Sequence, residues 1–163
     1  MIENKKQRTL KFIIFLAFLG LLVSGYLVNL HYTDRDAPCD VDEIFACSVV
    51  KESNYSEVFG IPVALVGLLG YGLLGLIGFC LYFRGKWKEK SLFKKLANSE
   101  LLLWLSIVAV LVSGWLTYAE FFLIKALCIF CLVSQVIILG ILLLSYNYLR
   151  LKKKQKQLLE VVE

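Results

Sequence analysis

Residues 126–149, ALCIFCLVSQVIILGILLLSYNYL, run for 24 positions without an Asp, Glu, Lys or Arg. At 1.5 Å per residue such a run crosses about 30 Å of hydrocarbon as a helix, which needs roughly 20 residues. Three more charge-free stretches lie upstream, at 12–30, 61–83 and 101–119, and each is 19 to 23 residues long. The chain of 163 residues is 59% hydrophobic, with only two prolines. Soluble domains carry about 45–50% apolar and about 25% charged residues, so the surplus here must face lipid, and a disordered or fibrous chain is excluded. The reading is an all-α integral membrane protein: one domain over 1–163, a four-transmembrane-helix bundle with a long loop, 31–60, between helices one and two.

The ends of the bundle carry different charges. Of the 18 Lys and Arg, 15 lie in the N-terminal tail, the segment 84–95 and the C-terminal tail, leaving Arg35, Lys51 and Lys125 elsewhere. An even number of spans puts both tails and the middle loop on one side, and the positive-inside rule makes that side cytoplasmic. Segments 31–60 and 120–125 then face outside. Lys5, Lys6, Arg8 and Lys11 before an apolar run also resemble a cleaved signal peptide. That run is longer than a usual signal core and no A-x-A-like site follows it, so the first span is read as a retained anchor. The basic clusters adjoin spans, so they set orientation and attract anionic lipid, and no nucleic-acid partner is expected.

This topology sorts the five cysteines. Cys39 and Cys47 fall in the outer loop, and Cys128 and Cys131 open the fourth span, all at the face where disulfides persist. Cys80 lies roughly 28 Å further along its own span by helical rise and reads as a packing residue. Cys128-Ile129-Phe130-Cys131 is a C-x-x-C at a helix N-terminus. Helix dipole and free N–H groups there favour a thiolate on the first cysteine, the nucleophile of thiol–disulfide exchange. Cys39 and Cys47 would stand about 12 Å apart in a regular helix, beyond the roughly 7 Å limit for a disulfide, so joining them requires the loop to bend. The spacing therefore suggests a switch between a Cys39–Cys47 form and one in which Cys47 reaches the C-x-x-C. Zinc is the competing use of four cysteines. The C-x7-C spacing and the oxidising face speak against it, and no metal is expected.

With these residues in place the sequence resembles the vitamin K epoxide reductase family in its prokaryotic form. The residues that carry the resemblance are Cys39-Asp40-Val41, Ala46-Cys47-Ser48, Ser53, Val58-Phe59-Gly60-Ile61-Pro62, and Tyr118 through Cys128-Ile129-Phe130-Cys131. The order is specific: a loop pair between helices one and two, a serine six after the second cysteine, and a C-x-x-C opening helix four. In the other four-helix quinone-linked family, the bacterial disulfide-bond protein B, the C-x-x-C comes first. The resemblance implies that electrons from a separate thioredoxin-like partner enter at Cys39, pass through Cys47 to Cys128, and leave from Cys131 to a quinone of ubiquinone, menaquinone or vitamin K type. It implies disulfide formation as the purpose, the cytoplasmic membrane of a prokaryote as the location, and no fused thioredoxin-like domain. It places Ser53 near the active site for proton transfer or loop placement, and Ser56, Phe59, Cys131 and Gln135 beside the quinone. Two positions depart from the family's vertebrate members: Ser56 stands for their quinone-binding asparagine and Gln135 for the tyrosine four residues after the C-x-x-C. Epoxide reduction is thereby put in doubt. The alternatives are quinone or epoxide reduction for quinone recycling, and a non-catalytic four-span scaffold.

The remaining features have plainer readings. Gly67, Gly70, Gly72, Gly75 and Gly78 crowd the second span, for close packing or for room beside a ligand. Pro62 suits the first turn of that helix. His31 reads as a solvated interfacial histidine, and Glu120 and Lys125 bracket a short loop, where they either pair or snorkel.

Overall fold

The computed structural model describes residues 2–33, 47–52, 56–58, 60–83 and 98–160. Its elements in chain order are α1 (Ile2–Tyr32), a short α2 (Cys47–Glu52), β1 (Glu57–Val58), β2 (Ile61–Pro62), α3 (Val63–Phe83), α4 (Ser99–Ala119), a single π turn (Glu120–Ile124) and α5 (Ile129–Glu160). Four helices are long and apolar enough to cross a membrane, α4 being counted together with its π turn. In hydrocarbon every backbone N–H and C=O must be satisfied within its own segment, and a charge-free run of this length does so as a helix.

Two helices outrun their charge-free stretches. α1 begins at Ile2 and α5 continues to Glu160, because Lys, Arg and Gln are good helix formers and water ends no helix by itself. These extensions touch: Lys6 Nζ donates to Glu3 Oε2 at 3.0 Å and to Gln155 Oε1 of α5 at 2.9 Å, and Lys152 Nζ donates to Ser99 Oγ at 2.9 Å. At the opposite end α5 starts later than the apolar run, at Ile129 rather than 126. Pro62 likewise stands outside its helix. It pairs with Glu57 in a two-residue-strand hairpin, in which Gly60 takes a φ of 76° that favours glycine, and α3 starts at Val63.

α1 packs on α3 and α5, and α5 on α4. One buried cluster joins Leu10, Ile13 and Ala17 of α1 with Tyr71, Leu74, Ile77, Cys80 and Leu81 of α3, Leu102 of α4 and Ile137, Ile138, Ile141 and Tyr148 of α5. Without a hydrophobic drive between helices in lipid, small residues that let backbones approach decide the contacts. Gly75 faces Ala17 and Gly78 faces Ile13 across the α1–α3 seam. Ser106 and Ser145 meet at 3.4 Å between α4 and α5, each also donating to the carbonyl four residues back at 2.7 Å. Outward-facing side chains are just as apolar. Phe12, Phe15, Phe18 and Leu22 on α1 and Trp104, Val108, Leu111 and Trp115 on α4 are exposed at helical spacing, as a lipid-facing stripe requires.

Candidate active site

Toward the end that carries α2 and the hairpin, α1, α3, α4 and α5 leave an apolar cavity of about 360 Å³ between them. Gly67 and Gly70 form part of its α3 wall. A Cβ at Gly67 would touch Ser24 of α1, whereas one at Gly70 would meet open space. The glycine-rich face thus serves both purposes, packing against α1 and leaving room in the cavity. Its polar groups are few and come from every wall, among them Ser24, Ser56, Tyr71, Ser113, Glu120 and Cys131.

The C-x-x-C is built into the start of α5 as a cap. Cys128 precedes the helix, its carbonyl accepts the N–H of Leu132 at 3.0 Å, and its sulfur accepts the N–H of Cys131 at 3.3 Å. This is the geometry of an N-cap side chain, here with sulfur in place of the usual oxygen. Cys128 and Cys131 are free thiols. The Cys128 thiol is held below its ordinary value first by the hydrogen bond from the Cys131 thiol. Burial opposes this, the N–H groups of Cys131 and Phe130 reinforce it, and the neighbouring Glu120 carboxylate opposes it. Of the pair, the capping sulfur is therefore the one favoured as thiolate, the better leaving sulfur in thiol–disulfide exchange.

Cys47 opens α2 and is disulfide-bonded. It is 3% exposed and shares a buried cluster with Leu30 of α1 and Cys128, which is 2% exposed; Leu27, Val50, Phe130 and Cys131 pack around them. A sulfur of the loop segment and the first sulfur of the C-x-x-C, far apart in the chain, thus lie in one apolar nest at the cavity wall. At the rim His31 Nε2 and Glu57 Oε1 are 3.2 Å apart, which ties the end of α1 to the hairpin.

The family profile for vitamin K epoxide reductase matches residues 11–146. The chain belongs to the vitamin K epoxide reductase family. Among curated relatives it is similar to vitamin K epoxide reductase complex subunit 1 of Mus musculus, 30% identical over 159 residues that cover 86% of this chain and 91% of the relative. The subunit 1 of Rattus norvegicus is 29% identical over 150 residues, covering 81% and 85%. Membership in this family, with four spanning helices, makes the protein an integral membrane oxidoreductase.

The positions singled out from the family resemblance distribute unevenly. Cys47, Ser56, Cys128 and Cys131 all line the cavity. Gln135 stands one residue behind the wall, where its carbonyl oxygen accepts a hydrogen bond from the lining Ser113. Cys39, Ser53 and Phe59 lie outside the described residues. Cys80 is a free, buried thiol in the core cluster, away from the cavity lining.

Of the site residues that were not anticipated, two stand against the C-x-x-C and the helix packing. Tyr71 lines the cavity from α3 and its hydroxyl donates to the carbonyl of Ser134 at 2.8 Å, with Ser134 Oγ also at 2.8 Å. Its ring fits over Gly20 of α1, where a Cβ would overlap it. The other is Glu120. Segment 120–125, read as a loop bracketed by a Glu–Lys pair, is instead a π turn that closes on Lys125 in the left-handed region with a φ of 57°. The wide turn leaves Phe121, Phe122 and Leu123 exposed and turns Glu120 inward until it is 3% exposed. There its Oε2 accepts the N–H of Cys128 at 3.3 Å, on the cavity wall it shares with Cys131. A signal existed: Glu120 is the sole acidic residue between Glu100 and Glu160, and a lone ionisable residue against a membrane span is a site to examine.

Proposed function

We propose that the protein is a thiol:quinone oxidoreductase that carries an electron pair from a separate thioredoxin-like protein, by way of Cys39 and Cys47, to Cys128 and Cys131 and on to a quinone. The observation that carries this reading is the shared nest of Cys47 and Cys128 on the wall of the cavity. In the scheme, a dithiol of the partner reduces the loop pair. The Cys47 thiolate then attacks Cys128 of the oxidised C-x-x-C, forming a Cys47–Cys128 bond and releasing Cys131. Cys39 resolves that bond, which restores the loop disulfide and leaves the electron pair on Cys128 and Cys131. A bonded Cys47 beside free Cys128 and Cys131 is the arrangement expected at this stage.

The cavity suits a quinone ring as substrate. It is mostly apolar, it is of ligand size, and its few polar groups converge from several helices. Ser56 is a hydroxyl within it that can donate to a carbonyl oxygen, whereas Ser113, whose hydrogen goes to Gln135, is held as an acceptor for a hydroquinone hydroxyl. Cys131 lines the cavity from the first turn of α5 and is the sulfur assigned to the quinone. The quinone supplies the two-electron chemistry, and the protein supplies position and a polarised thiol. The net reaction turns the partner's dithiol into a disulfide and the quinone into a hydroquinone, so the partner can oxidise folding proteins. In this reading the cysteine end faces outside, and the lysine-rich tails, with most of the 18 Lys and Arg, face the cytoplasm.

The test is reconstitution: purified protein, a reduced thioredoxin-like protein and a quinone, with hydroquinone formation followed spectroscopically. Turnover that depends on all three is expected. A folded sample that reduces neither ubiquinone, menaquinone nor a vitamin K-type naphthoquinone contradicts the proposal.

A further inference from the structure

Glu120 is a buried carboxyl group that the scheme above leaves without a task. It lines the same cavity as Cys128 and Cys131 and accepts the N–H of Cys128 at 3.3 Å. Cys128 Sγ in turn accepts the N–H of Cys131 at 3.3 Å, so the carboxyl group is tied into the same cap as the C-x-x-C. At that cap Glu120 is the proton acceptor that is not a sulfur destined for a disulfide. The other titratable groups on the cavity wall are His31 from α1, engaged with Glu57 of the hairpin, Tyr71 from α3, and Cys128 itself; Cys47 is in a disulfide and Lys125, on Glu120's own turn, is exposed.

We propose that Glu120 is a catalytic residue that gives a proton to the Cys131 sulfur when the C-x-x-C is reduced and takes it back when the C-x-x-C is reoxidised. The inference rests on the thiol:quinone reading and adds the proton path to it. In the first half, the Cys47 thiolate forms its bond to Cys128 and the Cys128–Cys131 bond breaks. The Cys131 sulfur leaves with the electron pair and is neutralised by the proton of Glu120, which becomes a carboxylate. When Cys39 resolves the mixed disulfide, Cys128 is released as a thiolate. In the second half, the Cys128–Cys131 bond re-forms, two electrons go to the quinone, and the Cys131 proton returns to Glu120. The two protons that complete the hydroquinone come from solution, replacing the two released when Cys47 and Cys39 ionised. Glu120 ends the cycle as it began. A leaving thiolate in an apolar nest is costly unless a proton meets it, and a carboxyl group already fixed at the C-x-x-C needs no diffusional encounter.

Glu120→Gln separates proton transfer from hydrogen bonding, because the amide oxygen can still accept the Cys128 N–H but the side chain cannot exchange a proton at neutral pH. Two rates are measured across pH on the full chain in detergent. One is reduction of the Cys128–Cys131 disulfide by dithiothreitol, read as alkylated Cys131 by mass spectrometry. The other is reoxidation by a quinone. Both should fall by about 100-fold in Glu120→Gln, the scale of general acid–base catalysis, and the pH limb of the wild-type profile should vanish. Glu120→Asp, which keeps a titrating oxygen, should retain the limb, and it decides the matter if the Gln variant does not fold. Rates in Glu120→Gln within about threefold of wild type, well short of that scale, would overturn the proposal. So would a Gln variant that restores the losses of Glu120→Ala, or an Asp variant without the limb. If wild type reduces no quinone while the dithiothreitol rate still depends on Glu120, the quinone reading fails and the role in thiol exchange stands. If wild type and Glu120→Gln reduce quinone equally, the reverse holds.

Discussion

Gly20→Ala is a one-carbon change whose effect can be worked from the α1–α3 contact. The Cβ it adds would overlap three ring carbons of Tyr71, a side chain only 6% exposed whose hydroxyl is bonded to Ser134 of α5. Either the two helices separate or the ring swings and gives up that bond. Overpacking of this kind costs about 1–3 kcal/mol, and a hydrogen bond lost between membrane helices adds about 0.6 kcal/mol or somewhat more. Alanine gains up to about 1 kcal/mol over glycine in helix propensity, which would blur the result. Gly70→Ala supplies the control, because its Cβ meets nothing within 4 Å and its propensity gain is the same. The difference in unfolding free energy between the two variants, in which propensity cancels, should be about 2–4 kcal/mol. Reversible unfolding in mixed detergent micelles, followed by circular dichroism, measures it. Because Tyr71 lines the cavity, Gly20→Ala should also raise the KM for quinone. Equal stability of the two variants would refute the packing argument and the position assigned to the Tyr71 ring.

Two further outcomes test the site itself. The rate of Cys128 alkylation by iodoacetamide, resolved by mass spectrometry, should have its pH midpoint below the roughly 8.5 of a free thiol, since the bond from Cys131 holds the thiol down; a midpoint at or above that value would show that the cap does not favour the thiolate. Gly70→Leu places a branched side chain in open cavity space, so kcat/KM for quinone should drop on the order of tenfold or more, while dithiothreitol reduction of the C-x-x-C stays unchanged. Loss of both would point to a general disruption of the bundle.

The helices were legible because the signal is physical and redundant: 19 to 24 residues without a charge leave a backbone no other way to cross hydrocarbon. The helix ends were not, because lysines end a membrane span without ending a helix, as at Ile2 and Glu160. Cys128 illustrates the intermediate case. Its role at a helix start follows from the C-x-x-C, but its place as the cap, with sulfur accepting an N–H, needed coordinates. The spacing of Cys39 and Cys47 demanded a bend, yet nothing in it put Cys47 into the nest of Cys128, since that contact depends on α2 folding over the end of α1. Glu120 was misread because a Glu and a Lys flanking an apolar tetrapeptide look like the ends of a loop. The π turn reverses this by exposing Phe121–Leu123 and burying the carboxyl group. Tyr71 was hidden for a similar reason: its fit depends on Gly20, 51 positions away, and no local pattern links the two.

The account rests on direct transfer between Cys47 and Cys128, and trapping tests it most directly. Cys131→Ala combined with Cys39→Ala removes both thiols that could resolve the mixed disulfide, Cys131 from the C-x-x-C side and Cys39 from the loop side. In that variant, oxidised in the membrane and digested without reductant, mass spectrometry should find a peptide pair joined through Cys47 and Cys128. Cys128 recovered as a free, alkylatable thiol with Cys47 bonded elsewhere, in a sample that remains folded, would contradict the relay.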